Sequence, residues 1–116
     1  MNIEQLRKFC LSLPHATEDV KWGSDLCFCI GEKMFAVTGL EMSENNSISF
    51  KCTPEKFAEL IEKDGILPAA YVARYYWVAL QNPDAIAERE LKELISKSYQ
   101  MVFEKLPTKV RKILAK

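Results

Sequence analysis

The sequence predicts a two-layer α+β domain, with helices packed on one face of a mostly antiparallel sheet in the order α-β-β-β-α-β-β-α. Three observations predict it. Apolar residues recur at helical spacing near both ends of the chain. Between them, residues 26–52 read as three short strands separated by turn chemistry. The helices do not alternate with strands as parallel crossovers would, so they must cover one side of the sheet.

Asn2 caps the first helix, with Gln5 three residues on as its capping-box partner. Ile3, Leu6, Phe9, Cys10 and Leu13 fall on one helical face. Pro14 stops the helix, because the residue before a proline is pushed out of helical geometry. Residues 14–24 read as a loop.

In the first strand Leu26, Phe28 and Ile30 share one face, and Cys27 and Cys29 the other. Gly31-Glu32 is a two-residue hairpin turn whose glycine supplies a positive φ. The second strand, about 33–38, is apolar on both faces at Met34-Phe35-Ala36-Val37, which suits a central position. After a polar loop, the third strand turns Ile48, Phe50 and Cys52 inward and Ser47, Ser49 and Lys51 outward.

Thr53-Pro54 starts a second helix, a threonine cap followed by proline at the first helical position. Phe57, Leu60 and Ile61 line its buried side, and Gly65 ends it. Ile66-Leu67 reads as a short strand, 70–74 as a connector, and Tyr76-Trp77-Val78-Ala79-Leu80 as a strand by its aromatic and β-branched content. A long helix over 87–105 carries the stripe Leu91, Leu94, Ile95, Val102, Phe103 and Leu106. Pro107 interrupts it before a short basic helix.

The 116 residues fit a single domain spanning 1–116. No stretch approaches the roughly 18 apolar residues of a membrane span, and the charged N-terminus is unlike a signal peptide. These features predict a cytoplasmic protein with no membrane partner. Formal net charge is +0. Residues 105–116 nevertheless hold Lys105, Lys109, Arg111, Lys112 and Lys116 without an acid, leaving the rest of the chain acidic. Such an end attracts anionic partners over about a Debye length, and its cations also suit the negative pole of a helix dipole.

Catalytic chemistry has little to rest on. The cysteines at 10, 27, 29 and 52 read as buried, reduced thiols. With a single histidine, His15, and no paired Cys-x2-Cys motif, neither a metal site nor a cofactor is expected. His15 reads as a surface loop residue, and Glu18-Asp19 as acids that cap a loop by accepting backbone N–H bonds. No phosphate-cradling glycine loop is present. The chain reads as a binding protein and not an enzyme.

Several short signatures occur in fixed order. They are Leu13-Pro14 with Thr17-Glu18-Asp19 and Trp22-Gly23, the Gly31 to Ala36 hairpin, and Lys51-Cys52 with Pro54. Further on come Pro68-Ala69-Ala70-Tyr71, Trp77-Val78, Ser98-Tyr99 and Lys105-Leu106-Pro107. Taken together, over nearly the whole chain, they resemble the MmcQ/YjbR family of small bacterial proteins. The resemblance implies an α+β fold compared with type III secretion chaperones and with a double-wing DNA-binding domain of a phage transcription factor. It therefore implies weak, salt-sensitive contact with DNA.

On that reading Lys21, Lys33, Lys51 and Arg74 touch phosphates from the sheet and its hairpin, while Lys109, Arg111 and Lys112 add long-range attraction. Against it stands a pI near 6.6. One rival is a protein-interaction or chaperone-like module that docks a protein partner on the sheet face or an edge strand. Another is a binder of planar aromatic small molecules. That rival rests on Trp22, Tyr71 and Tyr75 and on the mitomycin-resistance association in the family's name. The tryptophans themselves are expected to pack, Trp77 against a helix and Trp22 at the end of the sheet.

Overall fold

The computed structural model describes residues 2–21, 25–39, 48–69 and 72–114. Its helices are α1 (Ile3–Ser12), α2 (Pro54–Leu60), α3 (Glu88–Glu104) and α4 (Thr108–Leu114). Its strands are β1 (Thr17–Lys21), β2 (Asp25–Ile30), β3 (Lys33–Gly39), β4 (Ile48–Lys51), β5 (Ile66–Pro68) and β6 (Trp77–Leu80). The strands form one sheet in the order β1-β2-β3-β4-β6-β5, and each of these neighbouring pairs is antiparallel. The two-layer α+β class holds, with one strand more than the expected order and α4 as a separate last helix.

The added strand is β1, in the segment expected to be a loop. It lies at the sheet edge, from Thr17 opposite Cys29 to Lys21 opposite Asp25. Three of its five residues are exposed, so the alternation that betrays a half-buried strand is missing. Its Glu18, Asp19 and Lys21 are the charges that discourage edge-to-edge pairing. Glu18 does not cap a turn. It accepts a two-pronged bond from Arg7 of α1, Nε to Oε2 at 2.7 Å and Nη2 to Oε1 at 2.6 Å.

Local signals set the helix starts as expected. Asn2 Oδ1 accepts from the Gln5 N–H and Gln5 Oε1 accepts from the Asn2 N–H, closing the capping box. Thr53 Oγ1 accepts from the Lys56 N–H ahead of Pro54. At the β2–β3 turn both Gly31 and Glu32 have positive φ, +57° and +71°, the signature of a type I′ hairpin. A Cβ on Gly31 would stand 2.8 Å from Leu106 and 3.3 Å from Val110. The turn therefore doubles as the seat for the end of α3 and the start of α4.

The core lies between the helices and one face of the sheet. Leu6 and Cys10 of α1, Leu60 of α2, and Leu91, Leu94, Ile95 and Val102 of α3 pack on Leu26, Phe28, Ile30, Ile48, Phe50, Val78 and Leu80. Burying each large side chain contributes roughly 1.5–3 kcal/mol. Cys27 and Cys29 are also buried, on the opposite face, and all four cysteines are free thiols. Trp77 is buried too but lies outside the helix-covered cluster, on the face opposite Val78 and Leu80. It therefore does not pack against a helix as expected. Strand β6 begins at Trp77 because Tyr76 takes left-handed geometry, φ +65°, closing a 3₁₀ turn over Ala73–Tyr75.

β3 carries a bulge that explains its apolar run. Phe28 faces Ala36 while Cys29 faces Met34, so Phe35 is the extra residue. Both Phe35 and Ala36 are then buried in the core. The Phe35 ring meets Tyr99 edge-on at 5.4 Å.

Candidate functional site

Strand register decides which of the charged side chains share a place. The hairpin closes at Ile30 opposite Lys33. Ala36 faces Phe50, so Lys51 continues toward that same end of the sheet. Lys51 faces Trp77, so Arg74, Tyr75 and Tyr76 lie just beyond it. Leu106 and Val110 sit on Gly31 at the hairpin tip, which brings in Lys105, Lys109, Arg111 and Lys112. Lys33, Lys51, Arg74, Lys109, Arg111 and Lys112 therefore gather at one end, joined by Lys105. The acids of these segments are Glu32 and Glu104.

Lys21 is the exception among the expected phosphate contacts. It faces Asp25, which faces Gly39, so it lies at the opposite end of the sheet. A β1 strand running antiparallel to β2 cannot place its last residue beside the hairpin tip. Trp22 and Tyr71 fall outside the described residues. Tyr75 is half exposed, and the Arg74 guanidinium lies 4.8 Å from the centre of its ring, within cation–π range.

The end of β4 is anchored by α3. Where β3 and β4 would next pair, at Phe35 and Lys51, the Ser98 hydroxyl takes the position between them. It donates to the Phe35 carbonyl at 2.7 Å and accepts from the Lys51 N–H at 3.0 Å. Ser98 is fully buried, and the two bonds leave no buried backbone group there without a partner. About two helical turns further, Lys105 forms the C-cap of α3. Burial, then the neighbouring Lys105 ammonium, holds the Lys51 amine below its ordinary range.

On α4, Lys109 and Lys112 are exposed. Arg111 donates to Thr108 Oγ1 at 3.3 Å, while its Nε is buried without a hydrogen-bond partner among the described residues. Sequence reasoning counted Lys105 in the basic tail but did not place it beside Lys51.

Among the described residues, grooves open along α3. One of about 370 Å³ lies between α3 and the β4–α2 junction, with Lys51, Lys56 and Lys97 facing Glu90, Glu93 and Glu104. Its charges balance, and Lys56 is paired with Glu59 at 3.1 Å and Glu90 at 3.6 Å. A second, of about 530 Å³, is lined by Pro14, His15, Tyr99, Phe103 and Leu114. The Tyr99 hydroxyl is already committed there, donating to the Pro14 carbonyl at 2.6 Å. No cysteine lines the groove that His15 faces. Burial pushes the Cys10 thiol up to about 12 and the Cys52 thiol up to about 11, far from the thiolate a nucleophile needs. Among the described residues no helix is long and apolar enough to cross a membrane, and no cluster of three metal-ligating side chains occurs.

A family model described as YjbR matches residues 11–101. The chain is 25% identical over 118 residues to "Uncharacterized protein YjbR" of Escherichia coli K12, covering 98% of each, with the same figures for the O157:H7 protein. A crystal structure of Deinococcus radiodurans protein DR2400, described with domain DUF419, superposes with a TM-score of 0.85. That match has 27% identity and covers 98% of this chain and 88% of that one. A Pseudomonas syringae protein superposes with a TM-score of 0.71 at 22% identity, over 88% of this chain and 99% of that one, a likeness of fold.

Proposed function

The chain belongs to the YjbR family, and from that premise and the geometry above we propose that it is a non-catalytic protein that binds duplex DNA through the basic end of its sheet. The observation that carries the reading is the convergence of Lys33, Lys51, Arg74, Lys109, Arg111 and Lys112 on that end. Adjacent strands are about 4.8 Å apart, so cations spread from the β2–β3 tip to the start of β6 span a strip matched to several phosphates. Zero net charge does not oppose this. Local fields depend on where charges lie, and the strip's acids are outnumbered.

Arg74 and the half-exposed Tyr75 add a planar face at one end of the strip. The family's likeness to a double-wing DNA-binding domain points the same way. A binding role without turnover also suits thiols held protonated by burial.

The test is a titration of labelled duplex at about 50 mM salt, where phosphate contacts are least screened. The Lys33→Gln, Arg74→Gln, Lys109→Gln, Lys112→Gln variant is expected to lose roughly tenfold or more in affinity. Lys21→Gln, altered at the far end, is expected to bind as the parent does. Equal losses in the two proteins, or no binding by the parent, would remove the proposal.

A further inference from the structure

We propose that Cys27 and Cys29 form a two-thiolate site for one soft monovalent metal ion of the copper(I) class, on the sheet face opposite the helix-packed core. The inference is independent of the DNA reading and stands or falls without it.

Alternation along β2 sends Leu26, Phe28 and Ile30 into the core and turns Cys27 and Cys29 to the other face. Both are free thiols, and neither belongs to the helix-covered cluster that holds Cys10 and Cys52. The neighbouring strands wall the pair in. On β1, Asp19 stands opposite Cys27 and Thr17 opposite Cys29. On β3 the bulge sets the arrangement. Because Phe35 is the extra residue, Met34 and Val37 share a face although they are three positions apart, Met34 opposite Cys29 and Val37 opposite Cys27. Phe35 and Ala36, between them, go to the core. The two thiols thus lie side by side, buried between exposed β1 residues and the half-buried Met34 and Val37.

The spacing favours an ion between the sulfurs over a bond between them. Two residues of strand set the Cα atoms about 6.6 Å apart, with both side chains directed the same way. A disulfide draws its Cβ atoms to about 3.8 Å, which an extended strand does not give without backbone movement. Two metal–thiolate bonds of about 2.3 Å span roughly 4.6 Å between sulfurs, a gap that two side chains leaning together can meet. Thiolate donors select soft ions such as copper(I), which accepts two-coordinate geometry. Structural zinc takes four donors. The Met34 thioether beside Cys29 is a soft, polarisable wall. Among the described residues, the charged groups in register on this face are Asp19, Lys21 and Asp25, two acids against one base, which favour a cation. Binding forms two sulfur–metal bonds and releases one proton from each thiol. The Cys27 thiol gives up only a loose contact to the Asp25 carbonyl, at 3.9 Å.

The experiment titrates the parent with copper(I) under anaerobic conditions, against bicinchoninate as competing chelator. One ion per chain is expected, with a thiolate-to-metal charge-transfer band in the near ultraviolet. Cys27→Ser and Cys29→Ser are each expected to weaken binding about a hundredfold or more, the upper end of what loss of a mere outer-shell partner costs. Cys52→Ala is expected to bind as the parent does, and excess zinc is expected not to displace the copper. X-ray absorption at the copper edge of the loaded parent, which needs no variant to fold, is expected to show two sulfur neighbours. Full affinity in either serine variant overturns the site. So does a first shell of nitrogen or oxygen, displacement by zinc, or no copper uptake against the chelator.

Discussion

The main-chain amide of Lys51 ends on the Ser98 side chain, 3.0 Å away, at the place where β4 would otherwise pair with the bulged Phe35 of β3. One hydroxyl from α3 thus completes the ladder between two strands and fixes the point from which the Lys51 side chain departs. Helix, sheet and basic end are tied through this atom.

Removing it leaves a buried N–H and a buried carbonyl without partners. Ser98→Ala is expected to destabilise the fold by about 2–3 kcal/mol, measured by chemical denaturation. Hydrogen exchange is expected to quicken at the Lys51 amide more than at Ser49, which lies opposite Val37 within the ladder. Unchanged protection at Lys51 would contradict the assignment.

Gly31 is constrained twice, by its φ of +57° and by the Leu106 side chain at 2.8 Å from any added Cβ. Gly31→Ala is expected to cost roughly 1–3 kcal/mol. Because Leu106 must shift, the junction between α3 and α4 is expected to loosen with it. Denaturant midpoints and exchange rates over residues 105–110 check both effects.

The Arg7–Glu18 fork holds α1 to the edge strand. The bond to Arg7 lowers the Glu18 carboxyl below its usual 4.5. Its contribution is therefore present in full above that value and is lost as pH falls through the lower folded-state value. Glu18→Gln is expected to be less stable than the parent near neutral pH, with the difference vanishing in strong acid. Both partners are partly exposed, so the gap is expected to be small and to shrink in high salt. A gap that widened on acidification would have the wrong sign.

The buried thiols offer a chemical check. With Cys10 up at about 12 and Cys52 at about 11, alkylation under native, mildly alkaline conditions is expected to follow opening of the fold. It should be far slower than for the unfolded chain. Modification of both at the unfolded-chain rate would contradict their burial.

Features with a local chemical cause were readable from the chain. The Asn2–Gln5 box, the Thr53-Pro54 start and the Gly31-Glu32 turn each rest on residues within four positions of one another, and each stands as expected. β1 escaped because an exposed edge strand of charged residues lacks the alternation that burial imposes. The bulge at Phe35 escaped because an apolar run on both faces reads equally as a central strand. The candidate site was half legible. The cations themselves could be named, but sharing a sheet end is a matter of register, and register separated Lys21 from the rest.

The salt dependence of duplex affinity tests the binding account most directly. A strip of six or seven cations that engages several phosphates predicts an affinity falling steeply between about 50 and 200 mM salt, with a log–log slope of roughly −3 to −5. Replacing Lys33, Arg74, Lys109 and Lys112 by glutamine should flatten that slope by most of its value. A slope near zero in the parent, or one that survives the four substitutions unchanged, would contradict it.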